Sequence, residues 1–129
     1  MENKTQLRSE IERMTGVSVL KCMRCGKCSA TCPNYDEMEY HPHQFVYFVE
    51  NGEIDKLMQS KSIFTCLSCM ACIERCPRQV EPAKIIEAVK LLKIRQQGEN
   101  HLTPEQVAQR LDEDLPAQAV TSAFRKYRK

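Results

Sequence analysis

The sequence predicts an all-α fold assembled around two cysteine loops, and three observations carry that expectation. The 129-residue chain holds eight cysteines, all in two runs, CMRCGKCSATCP over residues 22–33 and CLSCMACIERCP over residues 66–77. Each run is followed by a proline-started stretch whose apolar residues recur at helical spacing. Between the runs the pattern is helical rather than the apolar–polar alternation of a strand. A helical body is therefore expected, not a compact domain with two small hairpins.

Both runs read C-x2-C-x2-C-x3-C-P, the bacterial-type pattern that holds a cubane [4Fe–4S] cluster. Three thiolates spaced this way let a tight loop wrap one face of a cluster. The turn towards the proline carries the fourth cysteine past it, to the other cluster of a pair. The pattern assigns Cys22, Cys25, Cys28 and Cys76 to a first cluster and Cys66, Cys69, Cys72 and Cys32 to a second. Two [4Fe–4S] clusters are thus expected, each gripped by both halves of the chain. Gly26, lacking Cβ, lets the backbone pass close to inorganic sulfur.

Other uses of eight cysteines fit less well. No secretory signal opens the chain, which argues against a disulfide framework and points to a cytoplasmic protein. Zinc takes two C-x2-C pairs rather than a run of four closed by C-P. His41 and His43 are expected in capping or surface roles, because eight cysteines already complete two cubanes.

Composition narrows the function classes. Hydrophobic residues make up 42% and tryptophan is absent, so the apolar core is modest and metal binding is expected to contribute folding energy. The metal-free chain is expected to be poorly folded. The formal charge is +2, but an oxidised four-thiolate cubane carries about −2, so two of them bring the balance to about −2. Arg24, Lys27, Arg75 and Arg78 lie in or beside the loops, as offsets to that charge or as ordinary surface residues. So weak a net charge makes no case for nucleic acid. No apolar run approaches membrane-spanning length, so no direct membrane insertion is expected.

The elements follow in order. Lys4 to Thr15 carries Leu7, Ile11 and Met14 on a narrow helical stripe, with Gly16 as its stop. Residues 1–19 are expected as an amphipathic docking segment, the alternative being a helix packed on its own domain. Val17 to Leu20 reads as a short extended lead into the first loop. Asn34 to Tyr40 is polar and loop-like. Pro42 opens a helix through Phe45, Val46, Phe48 and Val49 that stops at Asn51-Gly52, and a shorter helix follows over Glu53 to Gln59. Pro82 opens a helix through Ile85, Ile86, Val89, Leu92 and Ile94, with Gly98 as its stop. Matching cysteines stand a constant 44 positions apart, a weak internal repeat. Residues 20–97 are thus expected to be the cluster domain, and residues 98–129 a helical extension. Thr103-Pro104-Glu105-Gln106 is a capping-box signature for a helix to about Glu113, with Val107 and Leu111 inward. A last helix is expected over Ala117 to Tyr127, ending in a basic tail.

The pair of cysteine runs, with Gly26 and a helical spacer carrying Pro42, Phe45, Gly52 and Leu57, resembles the C subunit of heterodisulfide reductase. That family lies in the wider α-helical ferredoxin group, with the cluster-binding halves of succinate dehydrogenase iron–sulfur subunits and of the C subunit in anaerobic glycerol-3-phosphate dehydrogenase. The resemblance spans roughly Leu20 to Ile94, and Phe64 stands where many relatives carry tryptophan. It implies a relay inside a hetero-oligomer. Electrons would come from the flavin-containing, iron–sulfur A subunit. They would leave to the B subunit, with its cysteine-rich CCG domains.

The residues agree with a relay that transforms nothing itself. No glycine-rich dinucleotide fingerprint, phosphate loop or nucleophile–base pair is present. Complete cysteine ligation leaves no iron open to a substrate, so outer-sphere electron transfer is expected. The other readings are a free-standing ferredoxin shuttle and the iron–sulfur subunit of a flavin dehydrogenase.

Overall fold

The computed structural model describes residues 2–95 and 103–127, and every described element is helical. The chain divides into two compact units, residues 1–94 and 95–129.

In the first unit, helix α1 (Glu2–Thr15) leads into a 3-10 turn (Val19–Lys21), and the short helix α2 (Lys27–Ala30) sits inside the first cysteine loop. A second 3-10 turn (Tyr35–Glu37) precedes α3 (Pro42–Glu50), α4 (Ile54–Gln59) and α5 (Ser62–Thr65). Helix α6 (Ala71–Glu74) lies inside the second loop, and α7 (Pro82–Ile94) closes the unit.

Helix α7 is the hub. It packs against α1, α3, α4, α5 and α6, which requires apolar residues around most of its circumference rather than on one stripe. Pro82, Ala83, Ile85, Ile86, Ala88 and Val89 are all buried, while Lys84 and Glu87, three apart, mark the narrow wet face. Phe45 and Val49 of α3, Ile54 and Leu57 of α4 and Ile63 of α5 join α7 residues in one core, all fully buried. The partly buried Cys22, Cys32, Cys66 and Cys76 pack against that core, so the ligand loops are anchored on it.

Helix α1 is where the structure departs most from expectation. The structure packs α1 on its own domain, the alternative to a docking segment: Ile11 is fully buried in the core, Leu7 packs against it, and α1 touches α4 and α7. The stripe is narrow because one buried position suffices at the edge of a small core, and Met14 is left largely exposed. Past the stop at Gly16 (φ 71°), the Glu12 carboxylate accepts from Val19 N–H at 3.2 Å and from Ser18 Oγ at 3.4 Å. These bonds tie the helix to the turn that delivers Cys22. That turn replaces the extended lead expected over Val17 to Leu20.

Helix α3 starts and stops where the signals placed it. Pro42 occupies its first turn and His41 N–H donates to Gln44 Oε1 at 2.9 Å. At its end Gly52 N–H donates to Val49 O at 3.1 Å and Glu53 N–H to Phe48 O at 2.8 Å, with Gly52 left-handed at φ 70°. A Cβ on Gly52 would stand 2.8 Å from Lys4 Cβ in α1. Gly52→Ala therefore combines left-handed strain with a collision between helices. A loss of about 1–3 kcal/mol is expected in urea unfolding. Gly16→Ala, also at positive φ but with nothing within 4 Å, should lose less. Equal losses would remove the collision from this account.

In the second unit, α8 runs Pro104–Arg110 and α9 Ala117–Tyr127. The capping box is present, with Gln106 N–H on Thr103 Oγ1 at 3.4 Å and Thr103 N–H on Gln106 Oε1 at 3.1 Å. Helix α8 ends three residues before Glu113, and Leu111 is extended and 56% exposed instead of inward. With its side chain left so open, burial gives no reason for another turn. The expected stop at Gly98 and the last two residues of the basic tail lie outside the described residues, as does the side chain of Val107.

Candidate iron–sulfur site

The two cysteine loops are copies in backbone as well as in sequence. Arg24 and Ser68, 44 positions apart, are left-handed at φ 56° and 52°. Gly26 and Met70, the next matched pair, stand at φ 75° and 65°. Helices α2 and α6 start directly after that second pair, and both hold the third cysteine of their run, Cys28 and Cys72. Two left-handed residues per loop turn the chain around its own cysteines. Met70 accepts that conformation with a side chain, at a cost of about 1–2 kcal/mol. A loop holding this strain twice is shaped for something at its centre.

Hydrogen bonds then bring the halves together. Asn34 Nδ2, after the first run, donates to Thr65 O, before the second, at 2.6 Å. Tyr40 N–H donates to Ser62 Oγ at 2.9 Å, and Ser60 Oγ to Glu39 Oε2 at 2.8 Å. This clasp sets Cys32 beside Cys66. Helices α2 and α6 touch in turn, setting the third cysteines near each other.

Two cavities result, and the cysteines divide between them. Cys22, Cys25, Cys28 and Cys76 border one. Cys32, Cys66, Cys69 and Cys72 border the other. All eight thiols are free. Among the described residues no three His, Cys, Asp or Glu side chains stand close enough to hold a single bare metal ion. Four thiols bordering one cavity suit a sulfur-liganded group, and the donor set fits a [4Fe–4S] cubane.

Burial acts on these thiols. It pushes the Cys28 and Cys66 pKa values up, and that of Cys72, the most buried, to about 11. The thiols of Cys32 and Cys69 add to the shift at Cys66. Without iron these sulfurs are protonated at neutral pH, so taking up iron must displace protons, and uptake gains from rising pH. Backbone N–H groups already point at sulfur. Arg24 N–H lies 3.4 Å from Cys22 Sγ and Val80 N–H 3.4 Å from Cys76 Sγ, while Ser68 and Ala83 backbone groups serve Cys66 and Cys72.

Of the four cations near the loops, Arg24 and Arg78 border the first cavity, whereas Lys27 and Arg75 are exposed and border neither. Arg24 also reaches α3, ion-paired to Glu50 at 3.3 Å and 5.4 Å from the centre of the Tyr47 ring. His41 holds the position before α3 and stacks on Tyr35 at 3.7 Å, with its buried Nδ1 left without a hydrogen-bond partner among the described residues.

His43 has a role that sequence reading left as capping or surface: its side chain borders the first cavity. Ser29, next to Cys28, is buried and accepts from His43 N–H at 3.1 Å. Its own hydroxyl lies 2.6 Å from the ring Nδ1. Burial, with help from His41, holds the imidazole below its ordinary pKa and so neutral. No spacing rule links residue 29 to residue 43; only the fold of α3 over α2 does.

Comparison with known proteins matches this geometry. Residues 21–81 fit the model of the 4Fe-4S dicluster domain. The iron–sulfur C subunit of CoB–CoM heterodisulfide reductase from Methanopyrus kandleri is 35% identical over 74 residues, 57% of this chain and 37% of the relative. The C subunit of the H2:CoB–CoM heterodisulfide,ferredoxin reductase from Methanothermobacter thermautotrophicus is 31% identical over 86 residues, 67% of this chain and 45% of the relative. The probable glycolate oxidase iron–sulfur subunit of Bacillus subtilis is 31% identical over 94 residues, 66% of this chain and 21% of the relative. The chain spans less than half the length of each. No described helix is long and apolar enough to cross a membrane. With its cysteine loops, helical core and matched segment, the chain carries a 4Fe-4S dicluster domain and is similar over that domain to the C subunits of heterodisulfide reductases.

Proposed function

We propose that this chain is an electron-relay subunit of a heterodisulfide reductase-like complex in the cytoplasm. It holds two [4Fe–4S] clusters, one on Cys22, Cys25, Cys28 and Cys76 and one on Cys66, Cys69, Cys72 and Cys32. They link the flavin-containing, iron–sulfur A subunit to the cysteine-rich B subunit. The observation that carries this reading is the crossed sorting of the eight cysteines around two cavities.

When bound, a cluster with four cysteine ligands supplies one-electron, outer-sphere exchange and offers no iron to a substrate. The chain's own part is to hold and to insulate. The left-handed residues of each loop bend it around its cavity, the clasp of Asn34, Tyr40 and Ser62 keeps the halves in register, and α7 underlies both. Cys25 and Cys69, the second cysteines of the runs, are exposed. Each cavity thus has a ligand at the surface through which a partner could exchange electrons.

The inward packing of α1 favours one alternative, a free-standing shuttle, since that helix is not spare surface for a partner. Anaerobic purification of the native protein, with identification of what travels with it, separates the two. A flavoprotein and a protein with CCG-type cysteine-rich repeats are expected in stable association. A lone monomer holding its iron would overturn the relay in favour of the shuttle.

A further inference from the structure

The two cavities differ in what surrounds them. Besides cysteine, the first is bordered by Arg24, Arg78 and His43, together with apolar residues such as Val46, Val80 and Pro82. The second is bordered, besides cysteine, by Leu67, Met70, Met38, Ala83 and Ile86, with Asn34 as its polar side chain. The Glu87 carboxylate acts on Cys66 beside it.

Reducing a four-thiolate cluster adds one negative charge. Cations beside a cluster favour that charge, whereas a carboxylate opposes it. We propose that the cluster on Cys22, Cys25, Cys28 and Cys76 has the higher reduction potential, so that an electron within the chain passes to it from the cluster on Cys66, Cys69, Cys72 and Cys32. In that step one electron leaves the second cluster, which is oxidised by one unit. The first is reduced by one unit, with no bond or proton exchanged.

Backbone hydrogen bonds to sulfur act in the same direction. The first cavity receives them from Arg24, Val80 and Ser29, the second from Ser68 and Ala83. Glu50 offsets part of the Arg24 charge at 3.3 Å, and Lys90 lies 3.9 Å from Glu87 on the wet face of α7. Arg78 has no such partner among the described ion pairs. The sign of the difference stands.

The inference rests on the two-cluster reading, and its test is separable from that reading. The reconstituted full chain, reduced stepwise with titanium(III) citrate under paramagnetic resonance, should give two one-electron waves. They should lie at least about 59 mV apart, a tenfold bias for a one-electron couple. Arg24→Gln with Arg78→Gln should lower the upper wave alone. Glu87→Gln should raise the lower wave alone. These side chains are largely exposed, so the variants should fold, and iron analysis of each confirms that both clusters are present. Closer waves, waves moved the other way round, or no movement would overturn the assignment. A preparation with iron for one cluster only would instead contradict the two-cluster reading itself.

Discussion

Cys76→Ser should cost the chain the cluster held by Cys22, Cys25 and Cys28, not the one held by its own sequence neighbours. The expected loss is large: iron should fall from about eight to about four atoms per chain. The paramagnetic signal that survives should be the one that Cys32→Ser removes. The reason lies in the loops. After Cys72 the α6 turn carries the chain away from the second cavity, and Cys76 emerges against Val80 at the border of the first. Cys32 does the same in mirror fashion, delivered beside Cys66 by the Asn34–Thr65 bond. Loss of the Cys66, Cys69 and Cys72 cluster on replacing Cys76 would mean that each run closes its own cluster, and the crossed ligation would be gone.

Ile11→Ala should lower the stability of the isolated, cluster-loaded chain by about 2–5 kcal/mol, the usual cost of truncating a fully buried Ile. For a unit of this size that is a fall in melting temperature on the order of 10–30 °C. Ile11 is fully buried while Met14, on the same stripe, is 38% exposed, so Met14→Ala should change little. The contrast decides what α1 is for. A docking helix would leave the isolated chain's melting unchanged on Ile11→Ala and weaken association instead. The structure predicts the reverse, with loosened cysteine loops as a secondary effect through the Glu12 bonds to Ser18 and Val19.

Much of this was legible in the residues, because the strongest signals are local. Pro42 and Pro82 could only open helices, Gly16 and Gly52 could readily take the left-handed stop, and Thr103 with Gln106 could close a capping box. Cysteine spacing reports the reach of a short loop, so the ligand grouping could be expected before any geometry was known. What escaped depends on contacts across the chain. The narrow stripe of α1 was compatible with a partner or with its own core, and only α4 and α7 beneath Ile11 distinguish the two. The Ser29–His43 pair joins residues 14 apart through a packing that no periodicity encodes. Helices α2, α5 and α6, four residues each, are too short for a periodic pattern to register. The left-handed Met70 looks ordinary in sequence, since nothing in the residue demands that conformation; the loop around it does.

The most direct test of the account is the iron and acid-labile sulfide content of anaerobically prepared protein, read with its Mössbauer spectrum. Two cubanes require about eight of each per chain, with the quadrupole doublets of [4Fe–4S] centres. Zinc at the cysteines, iron without sulfide, or about four of each in the intact chain would contradict it.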